Sequence, residues 1–204
     1  MSSPSLPRVL RRVAPTTLLV LALAACARDE ITAPQPAATG SLTVDASAGW
    51  VYLSLGDQHT VVLVDPASSA AWDIGFNTTQ VAINGGTAGP GGVTAFCLCQ
   101  NSATDPSPEE ILAMTPASEL ADFESVTAAS VPDDATFSAD PETGAFAVHP
   151  WYRYNLAGDH VVSPTFDVYL LRRGDVVYKV QLTGYYGPAG QPRHITVRYA
   201  RIAG

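Results

Sequence analysis

Cys97 and Cys99, in the stretch Phe96-Cys97-Leu98-Cys99-Gln100, flank a single residue. Two thiols so placed can close a tight disulfide in an oxidising compartment or share a metal ion. No matching second cluster follows them, so the zinc signal is weak and the disulfide is the expectation. Ser163 stands near His160 and Asp159, the residue types of a nucleophile, a base and an orienting acid. Near neighbours on an extended chain point in different directions, and neither a GxSxG nor an HExxH pattern is present. No enzyme is expected. The loop Asn84-Gly85-Gly86-Thr87-Ala88-Gly89-Pro90-Gly91-Gly92 has the glycines of a phosphate cradle but neither the lysine nor the following helix that such loops need. Pro90 removes one more backbone donor. The loop is expected to turn the chain.

Where the protein resides is written at its front. Arg8, Arg11 and Arg12 precede the apolar run Leu18 to Ala25, which is shorter than the roughly 20 residues that span a bilayer and has the form of a secretory signal. The run ends Leu23-Ala24-Ala25-Cys26, similar to the bacterial lipobox, so residues 1–26 are expected to be a lipoprotein signal with Cys26 as the acylated residue. Ala27 follows it, so no acidic residue marks retention at the inner membrane. Residues 27–42 are polar and rich in Ala, Pro and Thr without apolar periodicity, the composition of a tether. Residues 43–204 then form one domain, large enough for a core of its own.

Charge is uneven along that domain. No Lys or Arg lies between Asp29 and Tyr152, where all but three of the 19 acidic residues are found, and seven basic residues follow from Arg153 onward. A chain with a net charge of −8 is a poor nucleic-acid binder, because that binding rests on phosphate neutralisation.

The elements that must position these groups are mostly strands. Apolar and polar residues alternate, or strand formers cluster, in 50–55, 60–64, 72–76, 93–99, 145–149, 151–155, 166–172, 176–186 and 194–202. Turn residues separate them, and Gly174-Asp175 reads as the tip of a hairpin. That explains Arg173-Gly174-Asp175 more simply than an integrin ligand does. A helix is expected near 108–123, capped by Asp105 or Ser107, with Pro108 in its first turn and a break at Pro116. The fold class is all-β: antiparallel curled sheets or a sandwich with one short helix.

In order along the chain, Trp72-Asp73-Ile74-x-Phe76, Asn84-Gly85-Gly86, Trp151-Tyr152-x-Tyr154, Ser163-Pro164, Tyr169, Arg172, Gly174, Tyr178-Lys179 and Tyr185-Tyr186 resemble the HmuY family of haem-binding lipoproteins. The resemblance covers about residues 43 to 202. It implies an all-β grip around a haem, anchored at the outer membrane and facing outward, with an outer-membrane haem receptor as a partner. It also implies that Trp72, Ile74 and Phe76 are core residues and that the Asn-Gly-Gly loop is structural.

Family members that hold haem use two axial side chains, histidine or methionine, but the matching motifs do not contain them. By chemistry the candidates are His160, in the loop Asn155 to Pro164; His149, beside Trp151 and Tyr152; and Met114, near the end of the helix. His59 and His194 are weaker choices, in a hairpin tip and in the last strand. Arg153, Arg172 or Arg173 could pair with a haem propionate. The alternative is a cell-envelope binding or adhesion module of the same fold, using Tyr152, Tyr154, Tyr185 and Tyr186 on another ligand or a protein.

Overall fold

The computed structural model of the chain describes residues 39–101 and 105–204. Cys26, the signal segment and residues 27–38 of the expected tether lie outside the described residues. The first strand, β1 (Gly40–Asp45), begins inside the stretch assigned to the tether.

Among the described residues, eleven strands form two main antiparallel sheets and a small hairpin. After β1 come β2 (Val51–Ser54), β3 (His59–Val61), β4 (Ile74–Asn77), β5 (Gln80–Ile83) and β6 (Thr94–Cys97). β7 (Tyr152–Tyr154), β8 (Val162–Pro164), β9 (Val168–Arg173), β10 (Val176–Tyr186) and β11 (Pro192–Ala203) follow. The five-stranded sheet runs β1-β11-β10-β9-β6, the four-stranded sheet β3-β2-β4-β5, and β7 pairs with β8. The register Val176↔Arg173 leaves Gly174 and Asp175 as the β9–β10 turn, and Gly174 takes a φ of 59° there, as such tight hairpins require.

Val44, Leu171, Val180, Leu182, Ile195 and Val197 of the five-stranded sheet share one core with Leu53, Ile74 and Phe76 of the other. The alternation along β10 sends Tyr178, Val180 and Leu182 into that core. Its other face, Val177, Lys179, Gln181 and Thr183, is buried too. A second apolar cluster of Phe96, Leu170 and Val177 packs there under Val126, Val131 and Phe137. The central strand is thus covered on both sides.

Three short helices cross these faces. The helix expected near 108–123 is two: α1 (Pro108–Ala113) and α2 (Leu120–Ser125), separated around Pro116. Ser107 caps α1 with its hydroxyl while Glu110 reaches back to the Ser107 amide, a reciprocal capping box. The strand expected at 145–149 is instead α3 (Ala145–Val148) with His149 as its C-cap. Four apolar residues cannot be told from a strand by periodicity; here Gly144 opens the turn and Pro150 prevents its extension. The strand expected at 60–64 stops at Val61, and Val62 and Val64 are fully exposed.

Candidate functional site

The glycine-rich loop is architecture. Asn84 is fully buried, and its side-chain amide donates to the carbonyls of Trp72 (2.8 Å) and Ser69 (2.9 Å) while its Oδ1 accepts the Gly91 amide (2.9 Å). A Cβ on Gly91 would sit 2.6 Å from the Asn84 Cγ, so the loop needs a residue with no side chain at that approach. Loop and strand are held by one amide.

The β7–β8 hairpin carries His160 in its turn. Asn155 and His160 both take left-handed backbone geometry, φ 62° and 60°, and the Asn155 Oδ1 accepts the His160 amide at 2.8 Å. His160 Nδ1 and the Tyr154 hydroxyl form a 3.1 Å hydrogen bond. This orients the ring through one nitrogen and leaves Nε2 for another partner, the arrangement typical of a metal-binding imidazole.

Beside that turn, α1 packs against β8 and a cleft of about 310 Å³ opens over the end of β10. Met114, the C-cap of α1, lines it together with Val161, Phe166, Thr183, Tyr185 and Tyr186. The Tyr186 hydroxyl accepts the Val162 amide (3.1 Å), fixing one wall. Met114 and Val161 both line the cleft, and the His160 side chain is exposed in the turn beside it.

His149 does not join them. It precedes the base of the same hairpin, and its carbonyl accepts the Tyr169 hydroxyl at 2.7 Å. His59 is exposed at the start of β3, with Nδ1 3.2 Å from the Asp57 carbonyl. His194 lies on β11, with Nε2 3.9 Å from Asp45. Cys97 and Cys99 are joined as a disulfide. Near them burial pushes the Asp167 carboxyl above its ordinary range, against a hydrogen bond from the Thr165 hydroxyl (2.6 Å) that pulls it down.

The three arginines considered for a propionate have work elsewhere. Arg173 donates to Asp73 and to the Ala70 carbonyl. Arg172 lies over the Phe137 ring, 4.0 Å from its centroid, and Arg153 donates to the Pro150 and Tyr152 carbonyls.

A second and larger cleft, about 480 Å³, lies between β5, residues 138–141 and α3. Trp50, Val81, Ile83, Phe146, Trp151 and Tyr152 contribute to its walls. Neither histidine nor methionine does.

Sequence reasoning missed the polar chain beneath the first cleft. Gln181 donates to the Phe166 carbonyl (2.7 Å) and accepts from Arg198 (3.0 Å), which also donates to the Pro116 carbonyl (2.6 Å). Lys179 donates to the carbonyls of Phe123, Glu124 and Val126 at the end of α2. The alternation of β10 signals that these residues share a face; it does not signal that a helical segment covers it.

A comparison with curated protein sequences finds no match. Among solved structures, a candidate lipoprotein from Bacteroides fragilis is similar at 18% identity and a TM-score of 0.46, over 79% of this chain and 89% of its own. A candidate HmuY-like haem-binding protein from Bacteroides vulgatus is similar at 14% and 0.45, over 79% and 90%. An apo HmuY analogue from Tannerella forsythia is similar at 13% and 0.45, over 80% and 95%. These identities are too low to carry a residue from one chain to another. The sequence model of one family, described as HmuY protein, matches residues 46–199. That span starts just after β1, ends within β11 and includes β2 to β10, the hairpin and the cleft, and on it the chain belongs to the HmuY family.

Proposed function

We propose that this chain binds haem in the cleft between α1, β8 and the end of β10, with Met114 and His160 as the side chains that reach the iron. The observation that carries the reading is a thioether lining an apolar cleft, with an oriented and exposed imidazole in the turn beside it, in a chain of this family. Bound haem supplies an iron whose axial partners tune its spin state and potential. The chain's own part is positional. Tyr154 holds the His160 ring by Nδ1, while Phe166, Tyr185 and Tyr186 give the cleft an aromatic wall. At about 310 Å³ the cleft is at the small end of ligand sites, which run about 300–1,000 Å³, so part of a porphyrin would stand in solvent. Arg153, Arg172 and Arg173 are occupied by contacts of their own, which leaves the haem carboxylates to water.

The test is a haem titration followed by absorbance. One saturable Soret change per chain is expected, weakened and spectrally altered in Met114→Ala and in His160→Ala but not in His149→Ala. No saturable change at micromolar haem sinks the reading. An effect confined to His149→Ala moves the site to the other end of the hairpin.

The same reading makes the protein a lipoprotein held at the outer membrane by acyl chains on Cys26, facing outward and passing haem to an outer-membrane receptor. The order of basic start, apolar run, small residues and cysteine supports it. Metabolic labelling with a fatty acid should mark the chain and fail to mark Cys26→Ala; equal labelling rejects the anchor.

A second reading is favoured by the larger cleft, whose aromatic walls carry no iron ligand. There the chain would hold an apolar molecule without a metal. A fluorescent apolar probe displaced by Trp151→Ala and indifferent to Met114→Ala would favour it.

A further inference from the structure

Away from the haem cleft, three ligand-type atoms converge where β6 meets β9. Cys97 ends β6 opposite Tyr169 in the antiparallel ladder. Asp167 comes two residues before Tyr169, so the alternation of an extended chain puts Asp167 on the Tyr169 face. Cys99 returns to the same point through the helical turn Leu98–Asn101. The two sulfurs and a carboxylate oxygen of Asp167 lie within 4.8 Å of one another. Cys97 is fully buried, while Cys99 and Asp167 are half-buried. The Tyr169 hydroxyl donates to the His149 carbonyl at 2.7 Å, and the His149 side chain acts electrostatically on the Asp167 carboxyl. Arg153 also reaches that carboxylate electrostatically, but one of its terminal nitrogens is turned to the Pro150 and Tyr152 carbonyls.

We propose that reducing the Cys97–Cys99 disulfide turns this point into a site for a thiophilic d10 cation such as Zn²⁺, held by both thiolates and Asp167 with a fourth position left to water. The three residues converge closely enough to reach such a site after reduction. Zinc holds sulfur at about 2.3 Å and oxygen at about 2.0–2.2 Å in a tetrahedron, which sets neighbouring ligand atoms roughly 3.3–3.8 Å apart. Once the disulfide is reduced, the bonded sulfurs must part by roughly 1.5–2 Å, and the half-buried Asp167 must close on them, to reach that arrangement.

The chemistry balances with an external dithiol as the reductant. Its thiolate attacks Cys99, the sulfur that solvent reaches, and Cys97 leaves as a thiolate and takes a proton. The second thiol of the reductant then attacks the mixed disulfide and releases Cys99. Two electrons and two protons pass to the protein, and the dithiol leaves as its own disulfide. Cation binding displaces the two thiol protons to solvent. Disulfide and metal are mutually exclusive, so the site opens only under reducing conditions.

The full chain in detergent is compared before and after dithiol treatment, with the dithiol removed under argon. Zn²⁺ is titrated against a chromophoric chelator, and Co²⁺ is used separately for the thiolate-to-metal absorption band. The expected result is one zinc per reduced chain, none on the oxidised chain, no cobalt–thiolate band in Cys99→Ser, and affinity lower by about tenfold or more in Asp167→Asn. Circular dichroism of both variants separates ligand loss from unfolding, and the near-isosteric Asp167→Asn carries the test should Cys99→Ser fail to fold. Zinc binding that is absent after reduction, equal in the oxidised chain, or unchanged in a folded Asp167→Asn overturns the proposal.

Discussion

Arg173 donates from Nη1 to the Asp73 Oδ1 at 2.9 Å, joining the end of β9 to the strand entrance of the opposite sheet across 100 residues of sequence. The same carboxylate accepts the buried Leu55 amide through Oδ2 at 2.7 Å, and Arg173 continues to the Ala70 carbonyl at 2.7 Å. One acid and one base thus fasten the two sheets at their edge. Because the arginine side is 40% exposed, solvent screens much of the charge attraction. Arg173→Ala should cost about 1–2 kcal/mol. Asp73→Ala, which leaves the Leu55 amide unpaired in the core, should cost about 2–3 kcal/mol. Denaturant melts measure both, and neither change should alter haem affinity in the titration above. Lost haem binding in a folded Arg173→Ala would return this arginine to the ligand site.

Asn84 should be as sensitive as a large apolar core residue. Its amide satisfies two carbonyls and one amide on three separate turns, and a methyl group would satisfy none. Asn84→Ala is expected to lose about 2–4 kcal/mol, summing unmade bonds and the unpaired groups they leave. Asn84→Asp keeps the acceptor for Gly91 but faces two carbonyls with oxygen, so it should be no milder. Thermal melts of both variants give the comparison, and a stable Asn84→Ala would contradict the role assigned to this side chain.

Most of the strands were legible because their periodicity is local. Tyr178, Val180 and Leu182 alternate with polar residues, and the Gly174-Asp175 turn leaves one register for β9 and β10. The Pro116 break and the Ser107 cap were legible for the same reason. α3 was not, since four apolar residues fit either a strand or one helical turn. The burial of Lys179 and Gln181 was not legible either. Their positions resemble a solvent face, and what covers them comes from residues 105–137, remote in sequence. At the candidate site chemistry alone selected Met114, His149 and His160. The pairing of β7 with β8 and the packing of α1 on β8 put Met114 in the cleft and His160 in the turn beside it, and leave His149 outside.

Alkaline pH should unfold the protein before other extremes do so through its tyrosines. Burial is the leading cause that raises the phenol pKa of Tyr52, Tyr178 and Tyr199 above 10.0, and that of Tyr169 well above it. A group whose folded pKa is raised holds its proton longer in the folded state. Its stabilisation is complete below the unfolded value, near 10.0 for each of these residues, and is lost as pH climbs from there through the folded value. Each such group adds a slope of up to about 1.4 kcal/mol per pH unit within its window. Tyr199→Phe should remove one of these contributions, so the gap between variant and wild type should grow in the variant's favour above pH 10. Urea midpoints measured from pH 8 to 11 decide it, and parallel curves would mean that Tyr199 titrates alike in both states.

Lys179 should control the cleft proposed for haem without touching it. Its ammonium, buried on the outer face of β10, donates to the carbonyls of Phe123 (2.8 Å), Glu124 (3.2 Å) and Val126 (2.9 Å) and lies 4.5 Å from the centre of the Phe123 ring. It thereby closes the C-terminal end of α2, where orphan carbonyls and the helix dipole both favour a cation. Arg198 holds the Pro116 carbonyl in the same segment, and Met114 stands two residues before Pro116. Replacing Lys179 by Met keeps the stem but leaves three carbonyls without a donor, at a cost of about 2–3 kcal/mol. The loss should be local. Protease cleavage between α1 and α2 should accelerate while the sheets stay folded by circular dichroism, and haem affinity should fall together with that protection. Arg198→Lys, which keeps a cation but loses the fork that bridges Gln181 and Pro116, should move both readouts the same way by less. If Lys179→Met exposes the segment to protease and leaves haem affinity unchanged, haem does not depend on the segment that carries Met114, and the assignment of Met114 to the iron fails.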